Sequence, residues 1–151
     1  MFEGAGKPTL TRALVIDDDA SVGSAVQMIL NREGCDAVHA PNADIGIKAF
    51  EASSFSLVIV DVFMPGTSGL NAITEFRQRE SRLPILAMSG FRFRDSMDSR
   101  LDFLGMAADA GATICLRKPF TPQQLMAAIH ASLGPERSQR NNRDPARGLL
   151  R

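Results

Sequence analysis

A chain of 151 residues, 44% hydrophobic and 23% charged with no net formal charge, has the bulk properties of one globular domain. The length excludes two ordinary domains, and the charge balance excludes a molecule that is basic or acidic throughout, so neither nucleic acid nor a membrane is an expected partner. No apolar run approaches a bilayer span or a signal-peptide core, and two cysteines, Cys35 and Cys115, are too few for a disulfide framework; a cytoplasmic location is expected.

In chain order, residues 1–11 carry Gly4, Gly6 and Pro8 and are expected to form a flexible arm. Residues 13–16 (Ala-Leu-Val-Ile) are a short apolar run without alternation, the pattern of a strand covered on both faces. Asp17-Asp18-Asp19 follows, and then a helical stripe of Val22, Val26, Ile29 and Leu30. A weaker run at 35–39 suits an edge strand. Residues 42–52 predict a short helix that Asn42 caps and Gly46 weakens. A second buried strand is expected at 57–60, ending in Asp61, followed by a helical stripe of Leu70, Ile73 and Phe76. A third such run, 85–88, ends in Ser89, and a stripe of Met97, Leu101, Leu104 and Ala108 follows it. The run at 113–116 leads to Lys118-Pro119.

The last helix has the clearest start. Thr121 is placed to cap it, Pro122 suits the first helical position, and Gln124 completes a capping box. Leu125, Ile129 and Leu133 form its stripe, and Gly134-Pro135 ends it. Residues 135–151 hold several arginines and little hydrophobic content, as in a solvated, disordered tail. The sharper alternative is a basic arm for a partner or nucleic acid, although it is too short for a helix-turn-helix. The domain itself is therefore expected over residues 12–134.

Five strand–helix units with short connections predict an α/β fold, a five-stranded parallel sheet with helices on both faces. The leading topology is flavodoxin-like, strand order 2-1-3-4-5. Catalytic groups in such sheets gather at the carboxyl ends of the strands, and here those ends carry Asp17, Asp18, Asp61, Ser89 and Lys118. Clustered carboxylates repel one another unless a cation sits among them, and an all-oxygen site suits Mg²⁺. A carboxylate beside such a cation can attack phosphorus, while Lys118 supplies a point charge and Ser89 a hydroxyl to phosphate oxygens. Each residue alone has a plainer role: Asp19 as a helix cap, Ser89 as a turn residue, Lys118 as a solvated charge.

These pieces together resemble the receiver domain of two-component response regulators, of the stand-alone type. The resemblance is carried by Leu14-Val15-Ile16-Asp17-Asp18-Asp19, by residues 57–66 with Asp61 and Met64-Pro65-Gly66, by Leu86-Ala87-Met88-Ser89-Gly90, and by residues 110–120 ending in Lys118-Pro119-Phe120. It covers about residues 11 to 134. It implies that Asp61 is the phospho-acceptor, that Asp18 binds Mg²⁺ directly and Asp17 mainly through water, and that the backbone carbonyl of Phe63 is the third protein ligand. It implies too that Ser89 is the switch hydroxyl, that Lys118 pairs with the phosphoryl group, and that the Lys118-Pro119 bond is cis. The implied partners are a histidine kinase or histidine phosphotransfer protein and a downstream protein target, with a homodimer as a further option. The implied activity is limited to the domain's own phosphorylation and dephosphorylation, and no output domain is expected after Leu133.

Two departures stand out. Receivers carry Tyr or Phe three residues before the lysine, where this chain has Cys115, and the separation of Ser89 from Lys118 is extended by residues 90–95. Phe63 and Phe91 are placed to shield an acyl phosphate from water. Two rival readings fit parts of this pattern. A haloacid-dehalogenase-like phosphatase needs an acidic pair after the lysine, which nothing after Lys118 supplies. A binding-only domain fits the missing aromatic at Cys115 but leaves the acidic pair, Asp61, Ser89 and Lys118 without purpose.

Overall fold

A computed structural model describes residues 12–64, 67–90 and 103–133. The expected arm at 1–11, the loop residue Phe91, the stripe residues Met97 and Leu101, and the tail at 135–151 lie outside the described residues. The elements are β1 (Arg12–Ile16), α1 (Ala20–Arg32), β2 (Asp36–Ala40), α2 (Ala43–Ala52), β3 (Leu57–Asp61), β4 (Phe63–Met64), β5 (Thr67–Ser68), α3 (Gly69–Arg79), β6 (Ile85–Ser89), α4 (Phe103–Ala110), β7 (Ile114–Arg117) and α5 (Pro122–Leu133).

Five strands form one parallel sheet in the order β2-β1-β3-β6-β7. Counted among themselves these strands run 2-1-3-4-5, as expected. The shift in labels comes from β4 and β5, a two-stranded antiparallel ladder that pairs Phe63 with Ser68 and Met64 with Thr67. Strands of two residues are too short to show any periodicity, so the sequence carried no sign of them.

The uninterrupted apolar runs have the expected cause. Every residue of β3 and β6 is buried, because helices cover both faces of the sheet. One core layer joins Leu14, Ile16, Val58 and Val60 to Ala72, Ile73 and Phe76 of α3 and to Ala107 of α4. The other joins Ala13, Val15, Ile59 and Met88 to Val26 and Leu30 of α1 and to Leu125 and Ile129 of α5. Full burial of one such aliphatic side chain stabilises the fold by about 1.5–3 kcal/mol.

Local signals also behave as the chemistry requires. Asn42 Oδ1 accepts the Ile45 N–H at 2.9 Å, capping α2. At the start of α5, Thr121 Oγ1 accepts the Gln124 N–H at 3.0 Å and Gln124 Oε1 accepts the Thr121 N–H at 2.8 Å, a complete capping box.

Three expectations need correction. The edge strand starts at Asp36, not Cys35, and Cys35 is buried just before it. β7 is half-buried rather than covered on both faces, because it is the outermost strand of its side of the sheet. Among the residues of α4 whose burial is described, Ala107 is buried, whereas Ala108 of the expected stripe is exposed. The one large residue of the run Gly105-Met106-Ala107-Ala108 is Met106, and it is exposed, so apolar size does not mark the covered face there.

Candidate functional site

The strand order places a switch point between β1 and β3. Their chains leave toward opposite faces, into α1 and α3, and open a crevice at the carboxyl edge. Asp17 directly follows β1 and Asp61 is the last residue of β3. Across the sheet, Ser89 ends β6 and Lys118 directly follows β7. All the site residues expected from the sequence therefore lie at one edge.

Asp17 is fully buried, Asp61 is 4% exposed, and Asp18 faces solvent. One carboxylate oxygen from each lies within 4.8 Å of the others. The Lys118 ammonium sits between two of them, with Nζ 3.1 Å from Asp17 Oδ2 and 3.2 Å from Asp61 Oδ2. The remaining oxygens are held by backbone: Asp17 Oδ1 accepts the Asp19 N–H at 2.9 Å and Asp61 Oδ1 accepts the Phe63 N–H at 3.1 Å. Asp19 turns away from the group. Its carboxylate accepts the N–H groups of Ser21 and Val22 and caps α1.

Among the described residues, three carboxylates thus gather beside one ammonium, so negative charge exceeds positive charge there. Burial pushes the Asp61 carboxyl up from 3.8 to about 6; Lys118 opposes that rise and Asp17 adds to it. For Lys118, burial disfavours the charged form, but attraction to Asp61 and Asp17 and the hydrogen bonds to both prevail and raise its pKa. A divalent cation with oxygen ligands fits this surplus: the donors are hard, converge at short range, and include one exposed carboxylate.

The remaining parts are joined through the backbone. The Lys118 N–H donates to the Ser89 carbonyl at 2.8 Å, and the Val62 N–H donates to the Met88 carbonyl at 2.8 Å. Ser89 itself is 7% exposed. The Lys118-Pro119 bond is cis, as the resemblance implies. Cys115 is half-buried, lies opposite Ala87 in the β6–β7 register, and packs against the core layer that holds Ala107. Phe63 is half-buried beside Asp61, and Phe91 falls outside the described residues.

Sequence reasoning missed two neighbours of the site, His39 and Gly69. His39 Nε2 lies 2.8 Å from the Asp17 carbonyl oxygen. Gly69 opens α3 against the backbone of Asp61 and Val62. The available signals were a histidine in a weak strand run and glycines at helix positions where alanine would be the better helix former.

The family model for the response regulator receiver domain matches residues 13–130. Among curated proteins, the chain is 31% identical over 120 residues to the uncharacterized transcriptional regulatory protein YkoG of Bacillus subtilis (strain 168), covering 80% of this chain and 50% of YkoG. It is 32% identical over 135 residues to the transcriptional regulatory protein CpxR homolog of Haemophilus influenzae, covering 88% of this chain and 55% of that protein. The chain spans about half the length of the curated relatives it matches. Among solved structures, a response regulator receiver domain protein from Clostridium thermocellum superposes with a TM-score of 0.72 at 26% identity, covering 86% of this chain and 99% of that one. A CheY-like receiver domain protein from Methanospirillum hungatei JF-1 gives 0.75 at 23% identity, with 87% and 99% covered, a likeness of fold. With the matched model covering most of the chain and the acidic group at the sheet edge, this protein belongs to the response regulator receiver domain family.

Proposed function

We propose that the domain is a phosphorylation switch whose acceptor is Asp61 and whose phosphoryl donor is a phosphohistidine on a histidine kinase or phosphotransfer protein. The observation that carries this reading is the Lys118 ammonium held between Asp17 and Asp61 beside an exposed third carboxylate. Asp61 attacks phosphorus, the bond from phosphorus to the donor imidazole nitrogen breaks, and the imidazole leaves with the electron pair. The product is an acyl phosphate on Asp61, which a water later hydrolyses to restore the carboxylate.

Lys118 stays charged throughout and offers its ammonium to phosphoryl oxygens. Asp18 and Asp61, with the Phe63 carbonyl, are the groups that would hold Mg²⁺ directly. Asp17, the most buried of the three carboxylates, is assigned an indirect, water-mediated part. When bound, Mg²⁺ supplies charge stabilisation for the phosphoryl oxygens. The Phe63 N–H on Asp61 Oδ1 keeps the carboxylate from rotating, so its attacking direction is set before the donor arrives.

Ser89 is the hydroxyl that then turns toward the phosphoryl group, shifting the chain that follows β6. Cys115 leaves no aromatic ring at its own position to follow that movement, so the readout relies on other side chains or on backbone shifts passed through the Ser89–Lys118 hydrogen bond. Moving a switch from mostly inactive to mostly active takes roughly 3–5 kcal/mol of differential stabilisation, within reach of one charge-assisted hydrogen bond and one ion pair. The output is a protein–protein contact with a downstream target.

The test is incubation with acetyl phosphate and Mg²⁺, followed by intact mass. One added phosphoryl group, lost in Asp61→Asn and without metal, is the expected result. No gain in a folded domain, with beryllofluoride also failing to bind, would overturn it in favour of a binding-only domain.

A further inference from the structure

His39 stands near the carboxyl end of the edge strand β2, opposite Val15 of β1. Alternation along β2 puts it on the same face as Ala37, the face that α1 covers. Its Nε2 lies 2.8 Å from the carbonyl oxygen of Asp17. A carbonyl oxygen only accepts, so Nε2 carries the proton and donates it. The next residue of β2 grips Asp17 from its other side, because the Asp17 N–H donates to the Ala40 carbonyl at 3.1 Å. Both backbone polar groups of Asp17 are therefore held by β2.

A second, independent observation concerns α1. Gly23 sits inside that helix, where glycine costs about 0.5–1 kcal/mol relative to alanine. A Cβ on Gly23 would collide with the imidazole of His39, coming within 2.5 Å of both Cδ2 and Cε1. The ring thus fills the space that the missing side chain leaves, wedged between α1 and β2 with one nitrogen aimed at Asp17.

We propose that His39 is a positioning residue for the cation site: seated on Gly23, it holds the Asp17–Asp18 peptide so that both carboxylates converge toward Asp61. This rests on the Mg²⁺ reading given above. The carbonyl it binds belongs to the planar peptide that joins Asp17 to Asp18, so fixing that oxygen also fixes the direction in which Asp18 leaves the strand. Asp18 is exposed, and its place near the other two carboxylates depends on the backbone that carries it. A space-filling side chain in place of His39 would pack against α1 but leave the peptide without this donor. Glutamine retains an N–H at about the distance of Nε2 from the backbone.

The experiment is Mg²⁺ titration of the full chain, followed by amide NMR, for His39→Leu, His39→Gln, Gly23→Ala, His39→Ala and the Gly23→Ala/His39→Ala pair. His39→Leu and Gly23→Ala are expected to weaken Mg²⁺ about tenfold, with His39→Gln within about threefold of the unsubstituted chain. Gly23→Ala is expected to add no further loss once His39 is alanine, because the ring it displaces is gone. In the metal-free protein, ¹⁵N NMR is expected to show a proton on His39 Nε2 protected from exchange, with that protection lost in Gly23→Ala. Unchanged affinity in folded His39→Leu or Gly23→Ala would overturn the proposal, as would equal losses in His39→Leu and His39→Gln. Should His39→Leu fail to fold, Gly23→Ala and His39→Gln decide the matter alone. Asp18→Asn, titrated in parallel, separates the two levels: if that variant binds as well as the unsubstituted chain, the cation reading fails and takes this inference with it.

Discussion

Gly69 and Asp61 meet backbone to backbone: a Cβ on Gly69 would overlap the Asp61 carbonyl oxygen and come within 2.7 Å of Val62 Cα. The atoms in the way belong to the main chain, so no side-chain rotation relieves the overlap. Gly69→Ala is expected to push the start of α3 away from the end of β3. It should cost about 1–3 kcal/mol in urea unfolding and slow phosphorylation by acetyl phosphate. Unchanged stability would mean that α3 has another way to seat.

The raised pKa of Asp61 predicts a pH-dependent cost. The folded value of about 6 exceeds the ordinary 3.8, so ionised Asp61 opposes folding. That cost is absent below about pH 4, grows between the two values and is complete above about pH 6. At 1.36 kcal/mol per unit it reaches about 3 kcal/mol at most. Asp61→Asn is therefore expected to be more stable than the unsubstituted chain near pH 8 without metal. The gain should vanish below about pH 4 and shrink when Mg²⁺ is added. Denaturant titrations at both pH values check it.

In the proposed site Lys118 and a divalent cation both draw on Asp61, so removing the lysine should move two properties in opposite directions. Lys118→Ala is expected to bind Mg²⁺ several-fold more tightly, because a positive charge has left the site. The same change should lower the phosphorylation rate by roughly 10-fold or more, since the phosphoryl oxygens lose an ammonium. Metal titration and mass-detected phosphorylation read the two separately.

Arg77 is a structural clamp on the side of α3 away from the acidic group. Its Nη2 donates to the Gly111 carbonyl at 2.7 Å and its Nη1 to the Ser81 carbonyl at 2.9 Å, tying the end of α3 to the turn before β7. Arg77→Ala is expected to cost about 1–3 kcal/mol. Arg77→Lys should restore little, because one ammonium cannot reproduce a planar fork. Thermal or urea unfolding of both variants checks this.

Much of this was legible from the chain because local chemistry and the global fold agree. The apolar runs ending in Asp61 and Ser89 became the two fully buried strands, and the Thr121–Gln124 capping box formed both of its bonds. What escaped depends on contacts between distant segments. Asp17 and His39 are 22 positions apart, and their hydrogen bond exists only because β1 and β2 pair in one register and α1 has a glycine above the ring. The half-burial of β7 likewise follows from its place in the strand order, which apolar content does not report.

The bond from Lys118 to Asp17 spans 101 positions. During synthesis the acidic residues emerge long before their counter-charge, and β7 is the last of the five sheet strands in chain order. Until that strand docks, a nascent chain carries its carboxylates with no ammonium between them. The chemistry proposed for this domain thus requires β7 to have docked, and a nascent chain that has not yet added that strand lacks the proposed site.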